Sequence, residues 1–306
     1  GPGRGRDADG GRGSSGITHA ADGAWVLGVK AMFRMMRSRI PLLLAVTLSF
    51  AAAGCNKLQA RDQLNKGVQA FKAGRFEVAE ENFKKAKELD PELKNAQLFL
   101  ATTYVSQYIP GAPSEDNVKK GEAAIAEFEE VLKKDPNNLS AIDGIGSILY
   151  NMGGTPYDPK KLERSKEFHT RHIRIKPDDA DPYYWMGVID WTLSFRANNQ
   201  MRAEYNAANN KQIKDIDPLP PKVRESFKEY FVATVDEGIQ HLEKAIQLKP
   251  DYDAAYAYLN LLYRQKADMA EKEEREQYLT KADELVEQFK VIKQRKLEQA
   301  AKQPAS

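Results

Sequence analysis

The chain has 306 residues, 42% of them hydrophobic and 29% charged, which is too apolar for overall disorder and sufficient for a sizeable core or a long repeat array. Its single cysteine excludes a disulfide framework and any multi-cysteine metal cluster. The formal charge of +2 is split unevenly: residues 1–54 hold seven Lys/Arg and three Asp/Glu, leaving 39 and 41 in residues 55–306, and so even a balance lacks the basic face that nucleic-acid binding requires.

The N-terminal end reads as an address. Residues 1–34 are Gly-rich and aperiodic and begin with Gly1, so a non-native or disordered leader is expected there, with Met32, Met35 and Met36 as alternative starts. Arg37 and Arg39 then precede an apolar run from Ile40 to Ala53. That run is shorter than the roughly 20 residues of a bilayer span, and its basic and small-residue flanks read as a secretory signal over 35–54. The ending Ala52-Ala53-Gly54-Cys55 resembles a bacterial lipobox. The resemblance implies cleavage before Cys55, lipidation of its thiol with acyl chains such as palmitate, and a periplasm-facing anchor in the cell envelope. Asn56 in place of Asp favours the outer membrane in enterobacteria-like sorting. Residues 55–59 are expected to be a lipidated linker.

From there to the end the apolar residues recur every three to four positions, the period of helices. Four segments end alike, at Asp90-Pro91, Asp135-Pro136, Lys176-Pro177 and Lys249-Pro250. Proline stops a helix because it lacks an N–H and restricts the residue before it. In the first segment Gly67, Gly74, Ala79, Phe83, Ala86 and Pro91 stand at the spacing of a tetratricopeptide repeat, a 34-residue helix-turn-helix unit. The second carries Leu100, Ala101, Tyr104, Ala124 and Phe128; the third Ile145, Gly146, Leu149, Ser165 and His169; the fourth Tyr183, Met186, Gly187, Gly238, Leu242 and Ala245; the fifth Tyr256, Leu259, Tyr263, Ala282, Val286 and Phe289. The chain thus resembles the tetratricopeptide family over nearly all of 58–290. The implied fold is an all-α helical solenoid of about five repeats, placed at 60–290.

The prolines are spaced more widely than 34 residues, so inserts are expected near 108–118, 153–160 and 197–220. The last is the longest. Residues 221–248 have helical spacing throughout and read as one long helix extending the fourth repeat backwards; a degenerate extra repeat ending at Asp217-Pro218 is the other reading. The stretch 291–306 is expected to be the end of a capping helix and a frayed tail.

No nucleophile–base set, phosphate loop or paired metal motif stands out, so neither an enzyme nor a cofactor is expected. His169 and His172, at i and i+3, have the spacing of two metal ligands, but no third accompanies them, and His169 falls where the repeat places an aromatic filler. His241 has the phase of a surface residue.

In this repeat family, first-helix positions face a concave groove that receives partner peptides. Carried over by position, they are Leu64, Val68, Phe71 and Lys72 in the first repeat, and Leu98, Thr102 and Val105 in the second. The third contributes Asp143, Ser147, Tyr150 and Asn151, the fourth Tyr184, Val188 and Trp191, and the fifth Leu261, Arg264 and Gln265. The Lys/Asn set with which chaperone-binding members clamp a terminal carboxylate is absent. The resemblance therefore implies a lipid-anchored, non-catalytic adaptor or scaffold for another envelope protein, with envelope-protein or pilus and secretion-system assembly as concrete settings. The alternative is a small-molecule or metal carrier whose pocket lies under the long insert, around Tyr184, Trp191 and His169.

Overall fold

A computed structural model of the chain describes residues 55–93 and 95–302. The expected leader and signal peptide, 1–54, and the last four residues of the tail lie outside the described residues. Two units are distinguished, Gly1–Gln59 and Ala60–Ser306. In the first, 55–59 is helical: Asn56-Lys-Leu-Gln holds no Gly or Pro to interrupt a helix, and Leu58 is exposed.

All regular structure among the described residues is helical. The elements are α1 (55–72), α2 (Phe76–Leu89), α3 (Ala96–Gln107), α4 (Glu115–Lys134), α5 (Leu139–Gly154), α6 (Pro159–Ile175), α7 (Ala180–Asn209), α8 (Pro221–Leu248), α9 (Asp253–Asp268) and α10 (Lys272–Lys302). They pair as five helix-turn-helix units in chain order. Each packs on the next, and in addition α3, α5, α7 and α9 touch one another in sequence while the second helices do not. A stack whose first helices are the closer set curves toward them, so they form the inner, concave wall.

The helix ends follow from local chemistry. Ser114, Asn138, Asp158 and Asp179 cap the starts of α4, α5, α6 and α7, each accepting a backbone N–H of the first turn. The four proline endings share one geometry. Asp90, Asp135, Lys176 and Lys249 leave the helix with φ between −146° and −132° and ψ between 79° and 91°, and each donates its backbone N–H to the carbonyl four residues back. Proline follows each of them. Tyr183 and Tyr256, at equivalent repeat positions, both donate their hydroxyls to the proline carbonyl six residues earlier, at 3.2 Å.

Within three of the five pairs a glycine lets a large residue through. A Cβ added to Gly67 would lie 2.5 Å from the Phe83 ring, and one added to Gly146 would lie 2.9 Å from the His169 ring. Gly187 meets Leu242 in the same way, and Gly144 admits Phe128 from the preceding repeat. Phe83, Leu242 and His169 are among the most deeply buried side chains. The core is accordingly serial. Phe83, Leu100 and Tyr104 belong to one cluster, Phe128, Ile142 and Ile145 to the next, Leu162, Ile189 and Leu193 to a third, and Phe227, Leu242 and Leu262 to the last.

The stretch 180–250 is one antiparallel pair of long helices, 30 residues in α7 and 28 in α8. Residues 197–209 therefore belong to α7 and not to a loop. Only 210–220 forms a non-helical strap, and it starts at Asn210 in the left-handed conformation that suits asparagine. The shorter connection at 108–114 is held from inside by Asn117, which accepts the Ile109 N–H at 2.7 Å and donates to the Ile109 and Ala112 carbonyls. Asn206 does the same for the strap, accepting from and donating to the backbone of Ile213.

We expect Gly67→Ala to lower stability by about 1–3 kcal/mol, because the added methyl overpacks against Phe83. The double variant Gly67→Ala, Phe83→Leu should recover part of the loss in thermal unfolding.

Candidate functional site: the concave wall and its strap

The inner positions divide into two stretches. In the N-terminal stretch, Leu64, Val68 and Phe71 of α1 and Leu98 and Val105 of α3 are half-buried and lean on the serial core. Lys72 is exposed. Thr102 satisfies its own hydroxyl by donating to the Leu98 carbonyl at 2.8 Å. Asn151 and Ser147 of α5 are half-buried, while Asp143 is hydrogen-bonded to His172 Nδ1 at 2.6 Å. Burial pushes the Asp143 carboxyl above its ordinary range, against the pull of His172.

The C-terminal stretch is aromatic. Tyr150 of α5 lies 5.3 Å from Trp185 of α7, and Trp185 lies 5.3 Å from Tyr184. Tyr184 is 5.8 Å from Tyr258 of α9, Tyr258 is 5.3 Å from Trp191, and Trp191 stacks on Phe195 at 4.9 Å. These spacings and edge-on or offset geometries are the favourable ones for ring pairs. The rings make a continuous, half-buried strip across three repeats. Burial raises the Tyr184 and Tyr258 phenols above their ordinary pKa, so the strip stays uncharged at physiological pH.

Three expectations need correction. Val188 is 1% exposed and does not face the groove; it is the short side chain in a stripe with the much larger Tyr184 and Trp191. Gln265 is buried, and its side-chain oxygen accepts a hydrogen bond from Asn198 at 3.1 Å. His241 is half-buried instead of lying on the surface. Its Nδ1 sits 3.7 Å from the fully buried Asp190, which in turn pairs with Lys166 at 2.6 Å. Burial opposes the Lys166 charge, but Asp190 and Glu237 outweigh it and raise that ammonium's pKa.

The residues expected to form a carrier pocket are not gathered. His169 is shut between Gly146 and Trp185, on which it stacks at 6.2 Å, and neither ring nitrogen has a hydrogen-bond partner. Tyr184 belongs to the ring strip, and Trp191 lines a cavity that neither Tyr184 nor His169 reaches. Among the described residues no group of three His, Cys, Asp or Glu side chains is arranged to hold a metal ion.

That cavity, of about 320 Å³, lies where the strap meets α7 and α9, and Leu261 and Arg264 also line it. The polar network beneath it is the part that sequence reasoning missed. Arg202, fully inside α7, donates to Asp268 Oδ2 at 2.9 Å and to Asn198 Oδ1 at 2.7 Å. Its Nη1 donates to the carbonyls of Lys214 and Asp217, which fixes the strap. Asn198 donates to the same Asp268 oxygen. Burial lifts the Asp268 carboxyl above its ordinary range although Arg202 and Asn198 pull the other way. In the sequence, Asn198 and Arg202 stand at i, i+4 in a polar stretch, and among so many charged residues nothing there marks them as buried.

Repeat spacing, helix pairing and the curved inner wall define an all-α solenoid of tetratricopeptide type. No protein-family model matches the chain. A curated relative, the interferon-induced protein with tetratricopeptide repeats 2 of Cricetulus griseus, is 27% identical over 177 residues, covering 53% of this chain and 36% of that protein. The chain thus matches little more than a third of that relative's length. Among solved structures, that of MamA protein is similar with a TM-score of 0.48 and 19% identity, covering 75% of this chain and 92% of that one. That of YrrB, described as a TPR protein with an unusual peptide-binding site, gives a TM-score of 0.47 and 15% identity over 77% of this chain and 91% of that one.

Two predictions follow from the buried polar groups. Burial, and secondarily the neighbouring His172, lower the His169 pKa from 6.5 to about 4. The unfolded chain therefore binds a proton that the folded one refuses, and stability falls as the pH drops from 6.5 toward 4. His169→Phe should be less acid-sensitive than the parent, with a difference growing to about 3 kcal/mol at the low end in chemical denaturation at several pH values. Arg202→Ala should cost about 3–5 kcal/mol, because Asp268 is left buried without its partner. Limited proteolysis of that variant should cut within 210–220.

Proposed function

We propose that the protein is a non-catalytic adaptor, lipid-anchored through Cys55 in a bacterial envelope, that holds a peptide or helix of another envelope protein against its concave wall. The observation that carries the reading is the strip of uncharged aromatic rings from Tyr150 to Phe195. Trp and Tyr contribute large, stiff contact area at low entropic cost and dominate binding hot spots. The strip ends at a cavity, so the wall combines an extended track with one anchoring position.

The anchor rests on the lipobox-like Ala52-Ala53-Gly54-Cys55 and on the exposed, unpaired Cys55. None of the helices among the described residues is long and apolar enough to cross a membrane. Two or three acyl chains on one cysteine give stable attachment, whereas one chain is marginal. Asn56 after the cysteine makes the outer membrane the first place to look.

In-cell photo-cross-linking from position 191, with an outer-face position as control, tests the adaptor. A single dominant envelope protein, linked through one short segment and only from 191, is the expected result. Self-links alone, or equal yield from both positions, would remove the reading. Trp191→Ala should weaken capture roughly tenfold or more with the far-ultraviolet circular dichroism unchanged. Cys55→Ser should move the protein from membrane to soluble fractions, and unchanged membrane retention would remove the lipid anchor.

A further inference from the structure

The cavity beside the strap has a composition that specifies more than an apolar anchor. Trp191, Phe195, Leu261 and Leu279 supply apolar lining, and Ile216 of the strap stands 81% exposed at it. Its volume of about 320 Å³ is at the lower end of ligand pockets and fits one large side chain, not a helix. Three guanidinium groups, Arg202, Arg264 and Arg275, line it against two carboxylates, Asp215 and Asp268. Arg202 and Asp268 are paired with each other at 2.9 Å, the Arg275 charge also acts on Asp268, and among the described residues no hydrogen bond joins Arg264 or Arg275 to Asp215.

Those two arginines are under-committed. Arg264 holds Asp283 at 2.7 Å, but both side chains are well exposed, and an exposed pair of this kind is weak and easily exchanged. Arg275 donates through Nη2 to the Ile216 carbonyl at 3.0 Å, while its buried Nε has no hydrogen-bond partner among the described residues. A buried charged donor left unmet is unfavourable, which favours a turn of the Arg275 side chain toward a carboxylate that enters the cavity.

We propose that this cavity takes an aromatic or leucine-like side chain of the partner segment, while Arg275 and Arg264 hold an acidic side chain adjacent to it in the partner's sequence. The inference rests on the groove reading and gives it a recognition chemistry. An acidic side chain, and not a chain terminus, is favoured because Arg264 already engages a side-chain carboxylate, Asp283.

The test uses the full chain and three synthetic peptides, each with a 4-fluorophenylalanine at its centre, read by fluorine NMR. One is end-capped with glutamate on both sides of the anchor, one end-capped with glutamine there, and one uncharged but for a free carboxylate directly after the anchor. The glutamate peptide should bind roughly tenfold more tightly than the glutamine peptide. Arg275→Gln should largely abolish that preference, and Phe195→Ala should weaken both end-capped peptides alike. Equal binding of the two end-capped peptides, binding of the free-carboxylate peptide alone, or no binding at millimolar concentration would each overturn the proposal. So would a preference that survives both Arg275→Gln and Arg264→Gln. If cross-linking from 191 still captures one partner in that event, the adaptor reading stands and only its acidic-apolar chemistry falls.

Discussion

The structure depends on how closely two antiparallel helices approach. A helix pair of this length cannot bury its apolar faces alone, and it stacks usefully only if its own helices first interlock. The interlock here is a missing Cβ. Gly67, Gly146 and Gly187 each leave a slot that a large residue of the partner helix fills: Phe83, His169 and Leu242. The filled slots bring the helices together, and the faces left over become the surfaces on which the next repeat sits. His169 shows that shape outranks chemistry in the slot. An imidazole occupies an aromatic's place at the cost of two ring nitrogens without partners and a proton affinity lowered by burial.

The long fourth repeat breaks the regularity and creates the distinctive end of the groove. Helices α7 and α8, of 30 and 28 residues, are joined by the strap 210–220, and that connection must be anchored. Arg202 does this from within α7, gripping two strap carbonyls while its charge is balanced by Asp268 at the end of α9. The network joins the strap, α7 and α9, so the shape of the cavity is tied to the packing of two repeats. A buried ion pair of this kind adds little net stability compared with apolar packing, but it tolerates few alternative arrangements. That property suits a residue that fixes the strap and the cavity beside it.

On the proposed reading, the ring strip and the cavity differ in what they offer a partner. The strip is a long, uncharged shelf that rewards contact area. The cavity is small, with guanidinium groups in reach, and rewards one side chain in one setting. An extended track with a single anchoring pocket gives register as well as affinity, since only one alignment of a bound segment places its anchor correctly.

Much of the fold was legible because its signals are local. Proline after an extended residue ends a helix wherever it stands, and Gly67, Ala79, Phe83 and Ala86 mark a crossing through spacing alone. The placement of His169 as an aromatic filler was readable for the same reason. The long helix at 221–248 showed in its own periodicity, whereas the continuation of α7 to Asn209 did not, because its Asn-rich residues carry no apolar period. The site was legible only as a set of faces. Which side chains on those faces are open depends on neighbours distant in sequence: Val188 is hidden and Gln265 is taken by Asn198. His241 is drawn toward Asp190 across the interface of α7 and α8. The sequence by itself determined the helical repeat and the proline-marked helix endings, since these follow from residue type and interval. Tertiary structure alone decided the buried Arg202 network, the strap and the cavity, because each depends on groups some 60 to 70 residues apart meeting where local pattern carries no information.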